Sequence, residues 1–84
     1  MVTNNTALTR FELMSGTDIA FLVYEESPGT LTFLHTEVPV PMRGHHAGET
    51  LVKAGLESAR QQHLRVIAVC RFVLAYLQRH PYGS

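Results

Sequence analysis

The first half of the chain carries the hydrophobic and polar spacing of β-strands. Residues 10–14 (RFELM) alternate between polar and apolar side chains, and residues 18–27 (DIAFLVYEES) are rich in β-branched and aromatic residues. Residues 30–38 (TLTFLHTEV) alternate again, and each run ends at a glycine or proline typical of turns. The pattern predicts three strands in an antiparallel meander.

The third of these strands carries the first polar side chains of chemical interest. Strict alternation predicts that Phe33, His35 and Glu37 lie on one face of the strand. Thr36 and Val38 are then expected on the opposite face. The strand ends before the prolines that follow.

In the second half of the chain the spacing changes to that of helices. Apolar residues recur every three to five positions between residues 47 and 63, which predicts an amphipathic helix. The apolar run 64–69 (LRVIAV) predicts a buried strand that returns parallel to its predecessor. A short second helix follows and is expected to close at His80-Pro81. The predicted order is β-β-β-α-β-α, an α+β fold in which the meander continues into a βαβ unit of a mixed sheet.

The length of the chain allows one domain. Its 84 residues are too few for two cores, and we expect a loose leader over residues 1–9 followed by a single domain over residues 10–84. Seven basic residues balance seven acidic ones, which argues against nucleic acid or a membrane surface as a partner. With one cysteine and no apolar run of membrane-spanning length, we predict a cytoplasmic protein.

The segment between the third strand and the first helix is a candidate binding loop. Its sequence is VPMRGHHAGETLVKAG, and it precedes a helix whose first backbone N–H groups have no partner within the helix. Arg43 offers a fork of donors to a phosphate, and Gly44 and Gly48 allow close backbone approach. An ordinary turn before a helix is the commoner meaning of such a junction.

A metal site is the weaker alternative for the same loop. His45 and His46 lie close in sequence to Glu49, but together they give at most two well-placed ligands. Solvated loop histidines explain them better, so we predict no metal.

Cys70 lies between the fourth strand and the second helix. The positive end of the helix dipole and the neighbouring Arg71 favour a thiolate there, which makes the residue a candidate nucleophile. From the sequence alone, however, a cysteine at such a position more often serves as a small buried apolar residue.

Two blocks of the sequence resemble a known family. HTEVPVPMRGHHAGETLVKAGLESAR and LRVIAVCRFVLAYLQRHP look like the small single-domain, YjdJ-type branch of the GNAT N-acetyltransferases. The shared pattern runs H-T-E-V-P, R-G-x-G-x-A, L-V-x-x-A-L, C-x-F-V and Y-[LI]-x-x-H-P. The similarity extends from about Arg10 to Pro81.

The resemblance implies a domain that binds acetyl-CoA or CoA. The pyrophosphate would lie on the backbone amides of residues 43–48, and pantetheine would run beside the end of the third strand. The implied cofactor-binding residues are Thr36, Val38, Arg43, Gly44, His45, His46, Ala47, Gly48, Tyr76 and Arg79. Arg79 has an alternative role as a cation at the C-terminal end of the second helix.

The same resemblance gives two residues a catalytic role. Cys70 matches the cysteine of C-x-F-V, which would face the thioester and carry the acetyl group. Glu37 would accept a proton if an amine attacks the thioester directly, and His35 could assist it.

The sequence departs from the family pattern at His46. The pattern has its second glycine there, so we expect weakened or altered CoA binding. The leading hypothesis is a minimal acetyltransferase that acts on an unidentified amine or thiol. A CoA-binding or protein-interaction module without transferase activity is the alternative, and the protein is expected to be a monomer or a homodimer.

Overall fold

A computed structural model describes residues 1–80 of the chain. Pro81, expected to close the second helix, lies outside the described residues. The elements are β1 (Val2–Asn5), β2 (Arg10–Ser15), β3 (Asp18–Ser27), β4 (Thr30–Glu37), a 3₁₀ turn (Val40–Met42), α1 (Ala47–Gln61), β5 (Arg65–Ala68) and α2 (Arg71–Arg79). No helix in this part of the chain is long and apolar enough to cross a membrane.

The strands form one sheet in the order β1-β2-β3-β4-β5. Neighbours from β1 to β4 pair antiparallel, whereas β5 pairs parallel with β4 after the α1 crossover. The α+β class, the mixed sheet and the βαβ unit are therefore confirmed.

The prediction of a loose leader is wrong for the first residues of the chain. Val2–Asn5 form β1, which pairs along β2 with Val2 opposite Leu13. The Tyr24 hydroxyl donates a hydrogen bond of 2.7 Å to Asn4 Oδ1. A mostly polar segment shows no strand period of its own, and here the pairing partner determines its conformation.

A β-bulge in β4 changes which side chains share a face. Val23 pairs with His35 and the next residue, Tyr24, pairs with Phe33, so Leu34 is an extra residue in β4. The prediction that Phe33 shares a face with His35 and Glu37 is therefore wrong. Phe33 and Thr36 both face the helices, while His35 and Glu37 lie on the opposite face of the sheet.

Both helices pack on one face of the sheet and enclose the core. Phe33, Leu22 and Leu51 are fully buried there. Gly55 lets α1 lie close to β4, because a Cβ at this position would come within 2.8 Å of the Phe33 ring. The apolar spacing of residues 47–63 thus predicted the helix and its buried side correctly.

The start of α2 is fixed by β4. The Phe33 carbonyl accepts hydrogen bonds of 3.0 Å from both the Val69 and the Cys70 N–H groups. Val73 and Tyr76 then bury the inner side of α2 in the same core as α1. This anchoring brings the first turns of the two helices together at the end of β4.

Candidate functional site

A cleft of about 540 Å³ opens where β4 ends and α1 begins. One wall is the end of β4, another is the segment from the 3₁₀ turn to the first turn of α1, and Phe72 of α2 completes it. The predicted site residues that line the cleft are Thr36, Glu37, Val38, Arg43, Gly44, His46, Ala47 and Gly48. Residues from β4 and from the binding loop, predicted separately, thus meet in one cavity.

The loop enters the helix through two residues with left-handed backbone conformations. Gly44 has a φ of 83° and His46, the N-cap of α1, has a φ of 60°. Glycine adopts this region freely, whereas histidine does so at a cost. His46 is the position at which the family pattern carries its second glycine, so the backbone geometry explains that preference.

The first turn of α1 has unsatisfied backbone donors. No side chain caps the helix, and the first helical bond runs from the Thr50 N–H to the His46 carbonyl at 2.9 Å. The N–H groups of Ala47, Gly48 and Glu49 precede that bond and belong to residues of the cleft wall. These donors and the helix dipole favour an anionic group at this end of the cleft.

Arg43 ties the loop to the end of β4. Its Nε donates a hydrogen bond of 3.0 Å to the Val38 carbonyl. The contact leaves the terminal guanidinium nitrogens available for other acceptors, since guanidinium has five N–H donors. Arg43 therefore both positions the loop and brings a positive charge to the cleft.

Gly48 has a packing role that the sequence did not reveal. A Cβ at this position would lie 2.7 Å from the tip of the Phe72 ring. The space above Gly48 is occupied by this ring, so the glycine is required for contact between α1 and α2. Phe72 itself lines the cleft, and its place in the C-x-F-V motif was the available signal for it.

Cys70 lies beside the cleft and does not line it. The residue is 8% exposed, and its Sγ shares a hydrogen bond of 3.3 Å with Thr36 Oγ1. Thr36 does line the cleft, so it stands between the thiol and the cavity. A small displacement of Thr36 would be needed to expose the thiol to a ligand.

Glu37 is at the mouth of the cleft and pairs with His35. The His35 Nε2 and Glu37 Oε1 atoms are 2.9 Å apart, and both side chains are more than half exposed. Glu37 lines the cleft, whereas His35 does not. The Glu37 carboxylate thus bonds to His35 on the face of the sheet away from the helices, at the edge of the cleft.

Glu49, which its sequence position marks only as a candidate metal ligand, also lines the cleft. The His46 imidazole donates a hydrogen bond from Nδ1 to Glu49 Oε1 at 2.6 Å. This bond is the largest of the causes that hold the pKa of Glu49 below its ordinary value, and the charges of His46, Arg79 and His80 act in the same direction against desolvation. A negative charge thus lies in the wall that the helix amides make attractive to anions.

Three predicted cofactor-binding residues do not line this cleft. Tyr76 is 2% exposed and stacks on His80 with 4.4 Å between ring centroids. His45 lines a separate cavity of about 190 Å³ beside Met14 and Pro41. Arg79 is not in the cleft wall either, although its charge acts on Glu49. Tyr76 stabilises the core instead of contacting a ligand.

No group of three or more potential metal ligands occurs within residues 1–80. His46 and Glu49, which are close enough in sequence to suggest a pair of metal ligands, form a hydrogen bond with one another.

The fold and the cleft define an α+β protein with a cavity at the junction of a bulged strand and an uncapped helix. The model of a family described as GCN5-related N-acetyl-transferase matches residues 10–84. The chain therefore belongs to the GCN5-related N-acetyltransferase family. A comparison with curated proteins gave no match.

Proposed function

We propose that the protein binds acetyl-CoA in this cleft and transfers the acetyl group to an amine or thiol. The observation that supports the proposal most is the cleft itself, in which the uncapped first turn of α1 meets the bulged end of β4. The amides of residues 47–49 and the Arg43 guanidinium suit the pyrophosphate. The apolar side chains of Val38, Met42 and Phe72 suit the pantetheine arm.

Direct transfer to an amine is the route that the cleft supports better. The amine nitrogen attacks the thioester carbonyl carbon, the carbon–sulfur bond breaks, and the CoA sulfur leaves as a thiolate that is then protonated. The ammonium form of the acceptor must first lose a proton, and we assign its acceptance to Glu37, which lines the mouth of the cleft. His35, hydrogen-bonded to Glu37, offers the proton a path to solvent.

A covalent route through Cys70 is the second possibility. The Sγ atom would attack the thioester carbonyl, release CoA, and pass the acetyl group to the acceptor in a second step. Its hydrogen bond to Thr36 orients the thiol toward the cleft wall, but the burial of Cys70 opposes attack.

Acetyl-CoA labelling separates the two routes. Because Cys70 is buried behind Thr36, we expect intact-mass spectrometry to find no stable gain of one acetyl group on the wild-type protein. Cys70→Ala should then retain transfer to an amine acceptor. A single acetyl adduct that Cys70→Ala removes would instead establish the covalent route and overturn the direct one.

CoA binding itself is tested by thermal unfolding. A ligand at 100 times its dissociation constant stabilises the folded state by about 2.7 kcal/mol. For a domain of this size, this corresponds to a rise of about 10 °C or more in Tm. Pantetheine, which lacks the pyrophosphate, should give a smaller rise. An unchanged Tm at millimolar CoA, together with no heat of binding in calorimetry, would contradict the proposal.

The alternative is a CoA-binding module with little or no transferase activity. The observation that favours it is at the anion end of the cleft, where His46 occupies a left-handed position and Glu49 adds a negative charge. Binding of CoA without acetyl transfer to a broad panel of amines and thiols would identify this function.

A further inference from the structure

We infer that Glu49 is a specificity-determining residue that limits the affinity of the cleft for phosphate-bearing ligands. The inference rests on the proposed function, since it concerns the same cleft. Glu49 lies in the first turn of α1, and its carboxylate belongs to the wall formed by the uncapped helix. In the protein as it stands, this residue lines the same wall as the backbone donors that a phosphate would use.

The carboxylate has a hydrogen-bond partner within the same turn. The His46 imidazole holds Glu49 through the 2.6 Å hydrogen bond, and the Glu49 side chain is only 37% exposed. His46, whose side chain is 81% exposed, is the left-handed N-cap of α1. A bound phosphate therefore meets a carboxylate that cannot turn away without losing this bond.

The charges around Glu49 explain how the site nevertheless remains attractive to anions. The charges of Arg79, in α2, and of His80, its C-cap, act on the Glu49 carboxylate, and Arg43 adds a further positive charge to the cleft wall. Glu49 cancels part of this positive charge. The cleft is therefore set to bind a polyphosphate more weakly than its backbone geometry alone would allow.

The effect should depend on ligand charge. Coulomb repulsion between a carboxylate and a phosphate about 4 Å apart in water amounts to roughly 1 kcal/mol, which is about fivefold in affinity. Pantetheine carries no phosphate and has no such repulsion. Glu49 therefore discriminates between the charged and the uncharged portion of CoA.

The test compares Glu49→Gln with Glu57→Gln. Both variants remove one negative charge from α1, but Glu57 pairs with Arg60 and is not part of the cleft. CoA and pantetheine are titrated by calorimetry, and inorganic pyrophosphate by NMR through the backbone amides of Gly44 and Gly48. We expect Glu49→Gln to bind CoA and pyrophosphate about fivefold more tightly than the wild type does. Its affinity for pantetheine should stay within about twofold of the wild-type value. The gain in affinity for CoA and pyrophosphate should be smaller at high salt, which screens the repulsion. Glu57→Gln should match the wild type.

The outcomes separate this inference from the proposed function. If the wild type binds CoA and Glu49→Gln binds it no more tightly, the inference is overturned and the proposed function stands. If pyrophosphate shows the fivefold difference but neither protein binds CoA, the anion site stands and the proposed function fails. Equal tightening of pantetheine, or the same gain in Glu57→Gln, also overturns the role assigned to Glu49.

Discussion

Phe33→Ala should lower the free energy of unfolding by about 3–5 kcal/mol, the range for removing a fully buried aromatic side chain. Phe33 is 0% exposed, and its ring fills the space that Gly55 leaves between α1 and β4. A domain this small has little stability to lose, so most of the variant should be unfolded near body temperature. Chemical denaturation followed by circular dichroism measures the loss.

Leu34→Ala is the matched control for this prediction. Leu34 is the next residue of the same strand, but it is the extra residue of the bulge and is 39% exposed. Its truncation should cost less than about 1 kcal/mol. Comparable losses in the two variants would mean that Phe33 does not hold the helices to the sheet.

The bulge at Leu34 also shows where sequence reasoning about β4 failed. The alternation of polar and apolar residues located the strand, because a half-buried strand must present one apolar face. Alternation assumes that every residue is paired, and one extra residue inverts the faces beyond it. The prediction therefore placed Phe33 on the same face of the sheet as His35, whereas in the structure Phe33 shares its face with Thr36. No local signal in this stretch marks the inversion.

The residues of the cleft also differ in how far local sequence could predict them. Arg43 and Gly44 were predicted because a loop before a helix is readable from neighbouring residues. Phe72 and Tyr76 are close in sequence, yet one lines the cleft and the other is buried in the core. That difference depends on how α2 packs against α1 and β4, which no local pattern specifies. His45 and His46 are adjacent in sequence but line different cavities. His46 itself has the left-handed conformation that turns the chain into the helix, so its side chain leaves the backbone in a different direction from that of His45.

The two carboxylates of the cleft have different surroundings, which implies different roles. Glu49 is held at the anion end by His46, and the hydrogen bond keeps its pKa low, so it remains charged and is a poor proton acceptor. Glu37 lies at the other end of the cleft wall, on β4, and bonds to a solvent-exposed imidazole. Removing the charge of Glu49 should therefore change ligand affinity, and removing the charge of Glu37 should change the rate of acetyl transfer.

Glu37→Gln should lower kcat for acetyl transfer to an amine by about 100-fold or more, within the range for loss of a general base. KM for acetyl-CoA should change little, because the role we propose for Glu37 is to receive a proton from the acceptor and not to bind the phosphates. Release of CoA thiol is measured with the best acceptor found in an amine panel. His35→Gln should give a smaller loss of kcat, because it removes only the path of the proton to solvent.

Glu49→Gln is the charge-matched control for the same assay. It should keep kcat and lower KM for acetyl-CoA, the reverse of the Glu37→Gln pattern.

Because the substrate amine is protonated near neutral pH, the wild-type rate should rise with pH, and the Glu37→Gln deficit should shrink once the free amine predominates. A Glu37→Gln rate equal to that of the wild type at neutral pH would remove Glu37 from the mechanism and leave the proton to solvent alone.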